Sequence, residues 1–148
     1  MTRFHRADDA QSLVEFALVL PVILLIITGL FDVGRAVWQE NTLAYAAREG
    51  TRYAIVNGSG CQPNPSCVVY PGNTQPIIDR VRSAAVGVPN VTVTATWPDL
   101  VGGAPCYDRN CTVVVDATAA FVPIPSQYLL GNAFRITLRG GSKLVIQR

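Results

Sequence analysis

The feature that most narrows what this chain can become is the run Ser12–Phe31, S-L-V-E-F-A-L-V-L-P-V-I-L-L-I-I-T-G-L-F. Glu15 is its one charge and Pro21 its one proline. About 18 or more predominantly apolar residues suffice to cross a bilayer as a helix. A secretory signal peptide has a shorter apolar region, about 7–15 residues, with a small-residue cleavage site after it. Here the chain continues F-D-V-G-R-A-V-W-Q-E with no such site. The expectation is a membrane helix over 11–31 that stays in the working protein. An acid near its start is costly in hydrocarbon, and ionisable groups in such segments mark functional positions by default. Pro21 has no N–H, so the carbonyl of Ala17 loses its helical partner and a kink is expected there.

At 148 residues the chain has room for one membrane helix and one small domain. With 49% hydrophobic residues it is not a disordered protein. A net charge of +2, without a basic cluster, gives no nucleic-acid surface. The only histidine, His5, lies in the first ten residues, so no Ser-His-acid or Cys-His arrangement can form in the later domain. No phosphate-loop or H-E-x-x-H pattern is present. The reading is a non-enzymatic chain with no cofactor and no metal.

Four cysteines fall as two close pairs, Cys61 with Cys67 and Cys106 with Cys111, in loops rich in Gly, Pro and Asn. An even count in that setting suggests disulfides and an oxidising compartment. Their spacing favours two local rings, although three connectivities exist. Zinc is the rival, but its usual spacing is C-x₂₋₄-C, the first pair is wider, and no histidine is near. Arginines flank the apolar run on both sides, so the positive-inside count is indecisive. The cysteines put the C-terminal domain outside the cytoplasm and leave the N-terminus inside.

Residues 1–10 read as a polar cytoplasmic leader without structure of its own. After Phe31 the segment to Ala54 has no proline, so one helix is expected from about Gln11 to about Ile55, with an amphipathic continuation over 32–56. Leu30, Val37, Ala44 and Thr51 recur every seven residues, with Trp38, Tyr45 and Arg52 beside them. Asp32 with Arg35, and Glu49 with Arg52, are spaced to pair. Ala36, Ala44, Ala47 and Gly50 would let another surface approach closely. An extracytoplasmic α+β domain follows over 57–148. Pro76 opens a short helix, Val91–Trp97 and Thr112–Val122 read as strands, and Pro123 and Pro125 suggest an edge or loop. Phe134–Arg139 and Lys143–Gln147 read as a closing hairpin around Gly140-Gly141. The fold class expected is α+β: a long N-terminal helix, transmembrane in its first half, whose amphipathic half packs on a small, mostly antiparallel sheet of about four strands.

S-L-V-E-F-A-L-V-L-P (Ser12–Pro21), an apolar run, and then A-A-R-E-G-T-R-Y-A (Ala46–Ala54) together resemble the TadE-like proteins, minor pilins or pseudopilins of the bacterial tight-adherence (Flp) pilus machinery. The resemblance covers about the first 55 residues. It implies cutting by a membrane prepilin peptidase between Ala10 and Gln11, which makes Glu15 the fifth residue of the mature chain. The family more often has glycine where this chain has Ala10. The new amine at Gln11, positive below a pKa of about 7.7–8.0, would meet Glu15 of a neighbouring subunit during assembly. Arg48, Glu49 and Arg52 could contact another pseudopilin; the bland alternative is a charged helix face with the alanines buried against the sheet.

The resulting expectation is a single-pass protein of the bacterial inner membrane that primes or caps such a pilus. Its partners would be pilins, other pseudopilins and the prepilin peptidase. The alternative is a membrane-tethered adhesion or binding module that never enters a filament.

Overall fold

The computed structural model describes residues 4–58, 68–129 and 134–147. The chain forms α1 (Phe4–Asn57), α2 (Gln75–Ala84), β1 (Thr92–Thr96), β2 (Leu100–Val101), β3 (Ala104–Pro105), β4 (Thr112–Phe121), α3 (Ile124–Leu129) and β5 (Ile136–Val145). It is an α+β fold led by a long apolar helix. By contacts it divides into two compact units, residues 1–35 with 122–135, and residues 36–121 with 136–148.

In the first unit, α1 begins at Phe4 and runs through Pro21. This corrects the expectation of an unstructured leader. Nothing between Phe4 and Leu13 breaks a helix, and Ala7, Ala10 and Gln11 favour one. The segment around Pro123 and Pro125 is also not a plain loop or edge, because α3 forms there with Pro125 in its first turn. A proline near a helix start loses no intrahelical bond, which is why two prolines did not prevent a short helix.

In the second unit, an antiparallel sheet of order β1-β4-β5 carries the core. β4 is its central strand, pairing Val93 with Ala117 on one side and Leu138 with Ala119 on the other. Its residues alternate: Val113, Val115, Ala117, Ala119 and Phe121 are buried, and Asp116 and Ala120 are exposed. That period of two is the strand signature of V-V-V-D-A-T-A-A-F. The rest of α1 covers the buried face. Leu43, Ala46, Ala47, Thr51 and Ala54 are all at most 2% exposed, at spacings that form one helical stripe. Ile77 and Val81 of α2 complete the core.

The seven-residue recurrence expected for α1 is therefore not its core face. Leu30, Val37, Trp38 and Tyr45 are exposed, and of that set only Thr51 is fully buried. The helix buries its small residues because they allow the sheet and α2 to come close. A Cβ on Gly50 would collide with Val81 of α2.

The closing hairpin is overturned in the same way. Ile136–Val145 is one strand, paired with β4 along its whole length, including Asp116 with Gly141 and Ala117 with Gly140. A Cβ on Gly140 would run into the backbone of Leu43 and Ala44. The glycine serves close approach of a helix to a strand, which is the other use of glycine inside a strand. The main sheet thus has three strands, and the expected fourth is replaced by the two-residue ribbon β2-β3.

Candidate membrane and assembly surface

From Leu13 to Phe31 the large side chains of α1 are exposed, Leu18 by 72% and Phe31 by 72%. Its most apolar window has a mean hydropathy of 2.6 and no buried share. Water is a poor solvent for so continuous an apolar surface. Among the described residues α1 is the helix long and apolar enough to cross a membrane. Glu15 stands within this surface, bordering a shallow groove with Gln11, Val14 and Leu18. It makes no hydrogen bond or ion pair among the described residues. The peptide bond between Ala10 and Gln11 lies inside α1.

The apolar run ends in a cluster that the sequence announces only in part. Asp32 and Arg35 pair at 3.3 Å, as their spacing suggests. The same side chains also take hold of a segment far along the chain. Asp32 Oδ2 accepts a hydrogen bond from the backbone N–H of Ile124 at 2.7 Å. Arg35 Nη2 donates to the carbonyl oxygen of Val122 at 2.6 Å. Asp32 is only 6% exposed. A buried carboxylate needs such partners, since an unpaired buried charge is strongly destabilising. An acid immediately after an apolar run, with a cation one turn on, was the available signal.

Farther along α1, Glu49 lies 3.8 Å from Arg52 and 3.5 Å from Arg80 of α2. Arg48 and Arg52 are exposed, while Ala46, Ala47, Gly50 and Thr51 are buried. The A-A-R-E-G-T-R motif therefore mixes two roles. Its small residues seat the helix on its own domain, and Glu49 faces α2. Exposed pairs of this type contribute about 0–1 kcal/mol, so the packing matters more.

Cys106 and Cys111 form a disulfide, with Cα atoms 5.8 Å apart. Cys61 and Cys67 lie outside the described residues. The bonded ring is tied down on both sides. Asp99 accepts from Cys106 N through its carbonyl at 2.7 Å, and its Oδ2 accepts from Thr112 N at 2.5 Å. Asn110 N donates to Ile146 O, and Ile146 N to Cys111 O, both at 2.8 Å. Hydrogen bonds from the Thr112 side chain, then from its backbone, hold the Asp99 carboxyl below its ordinary value; Lys143 acts in the same sense. Asn110 has φ of 69°, a conformation that asparagine tolerates better than most residues. The cleft beside the ring is lined by residues such as Val101, Pro105, Tyr107 and Arg109. Among the described residues no three His, Cys, Asp or Glu side chains are grouped to hold a metal.

These features define a class: α+β proteins led by one helix that exposes a candidate membrane span and then serves as the backbone of a small sheet domain. Within it, residues 10–52 match the family model described as TadE-like protein. The match runs from Ala10 through Arg52 and so takes in the whole of Ser12–Pro21 and the first seven residues, Ala46–Arg52, of the second motif on which the resemblance rests. No match was found among curated proteins or among solved structures.

Proposed function

We propose that this chain is a non-catalytic minor pilin or pseudopilin that takes part in priming or capping a tight-adherence pilus. One observation carries the reading: Glu15, exposed on an apolar helix surface, has no partner among the described residues and lies inside the segment that matches the TadE-like family model. A lone acid on such a surface is best satisfied by a cation from another subunit. The amine freed at Gln11 by a prepilin peptidase would supply one. Desolvation offsets much of the attraction within an apolar bundle, so the pair would mainly set register between helices. In this reading α1 anchors the chain in the bacterial inner membrane with the sheet domain outside the cytoplasm, as the Cys106–Cys111 disulfide favours. Pilins and other pseudopilins are its partners.

Mass spectrometry of the N-terminus in the functional protein tests it. A chain beginning at Gln11 is expected. An intact leader in protein that still supports pilus formation would overturn the processing step and favour a fixed membrane-tethered binding module.

A further inference from the structure

We propose that α3, which opens the connector between β4 and β5, is a second membrane contact, resting on the lipid surface through Ile124 and Tyr128. The inference depends on α1 spanning a bilayer as read above, and it holds for either orientation of that span.

The first observation is depth. Leu13–Phe31 of α1 extends about 28 Å at roughly 1.5 Å per residue, close to the roughly 30 Å of a hydrocarbon core. Asp32 is the next residue, so its carboxylate stands where hydrocarbon gives way to headgroups. The N–H of Ile124 is bonded to that carboxylate at 2.7 Å, and Val122 O to Arg35 at 2.6 Å. The connector is therefore tied to the one turn of α1 that lies at the boundary.

The second observation is chemistry. Val122–Phe134 contains no charged residue, unlike an ordinary strand connection in water. α3 follows the tie directly, with Gln127 N donating to Pro123 O at 3.0 Å. Tyr128 is 80% exposed and Ile124 36%. Tyrosine, with an apolar ring and a polar tip, is enriched at membrane–water interfaces. An exposed apolar group held at headgroup depth meets lipid before it meets water. The Asp32–Ile124 bond thus does more than satisfy a buried acid: it fixes how far from the bilayer α3 sits.

The test uses the full chain in vesicles of phosphatidylethanolamine and phosphatidylglycerol, with a photo-crosslinking residue at one position at a time. The variants are Leu24→p-benzoylphenylalanine, Tyr128→p-benzoylphenylalanine and Thr94→p-benzoylphenylalanine, the last on an exposed strand position. Lipid adducts at 24 and 128 but not at 94 are expected. Lipid at 24 with none at 128, or a protein adduct at 128, would overturn the contact and leave the span intact. Equal lipid adducts at 94 and 128 would also overturn it, because labelling would then follow exposure alone. Absence of a lipid adduct at 24 would remove the span and this inference together. Adding Asp32→Ala together with Arg35→Ala, which removes both bonds to the connector, should abolish the adduct at 128 while that at 24 persists; an undiminished adduct at 128 would refute the tie.

Discussion

Gly140 of β5 lies against the main chain of Leu43 in α1 so closely that a Cβ on the glycine would sit 2.6 Å from the Leu43 carbonyl oxygen. Leu43 is itself fully buried. The neighbour is helix backbone, which cannot turn aside as a side chain can. Gly140→Ala is expected to destabilise the sheet domain by about 1–3 kcal/mol, the usual range for overpacking. The measurement is a denaturant midpoint on the full chain in detergent. Gly102→Ala is a poor control because its φ is 60°; Ala120→Ser, at an exposed strand position, should change little.

Acid should loosen the disulfide loop through Asp99. Its carboxyl is held below the ordinary value of 3.8 by Thr112 and Lys143. A carboxyl with a lowered folded-state pKa contributes stability that is fully present above 3.8 and disappears as pH falls through the folded value. Asp99→Asn should weaken the domain at neutral pH and flatten the acid end of its stability profile. Denaturation midpoints followed from neutral pH downward check this, and identical acid limbs in the two proteins would exclude Asp99 as a contributor.

Loss of the Cys106–Cys111 bond removes a short covalent ring, worth about 2 kcal/mol in the chain-entropy picture. Cys106→Ala with Cys111→Ala should lower stability by about that amount without unfolding the sheet, because the Asn110–Ile146 and Ile146–Cys111 backbone bonds remain. Thermal unfolding with and without reductant reads the effect, and reductant should leave the double variant's response at this loop unchanged.

Glu15→Ala should leave insertion intact, since removing a charge from an apolar helix lowers the cost of crossing hydrocarbon. Pilus assembly should fall sharply. Membrane fractionation reports the first and surface pilus counts the second; unimpaired assembly would take Glu15 out of the mechanism.

Tying the connector to α1 should also be visible without lipid. A buried hydrogen bond to a charged group is worth about 1.5–3 kcal/mol, so Asp32→Ala should speed amide exchange over 122–129. Exchange in β4 should be nearly unaffected, because its bonds to β1 and β5 do not involve Asp32.

Much of this architecture was legible from local signals. The apolar run, the helix continuing past it, the alternating T-V-V-V-D-A-T-A-A-F of β4 and the short Cys106–Cys111 spacing each depend on residues near one another in sequence. So do the Asp32–Arg35 and Glu49–Arg52 pairs, which the structure contains. Glu15 was conspicuous for the same reason: one charge in an apolar run needs no tertiary information to notice.

What the sequence alone determined, then, was the long helix from Gln11 with its candidate span, the short helix at Pro76 and the strands β1 and β4, because periodicity, β-branching and charge placement act over a few residues. Only the tertiary structure decided how they are used. Gly140-Gly141 has the composition of a turn and is strand, because the helix backbone presses on it from residues nearly a hundred positions away. The buried stripe of α1 follows its small residues, a choice made by the sheet it must approach. Asp32 and Arg35 look complete as a pair until the fold brings Val122 and Ile124 to them. In each case the deciding contact joins atoms that the chain order keeps far apart, and only packing brings them within reach.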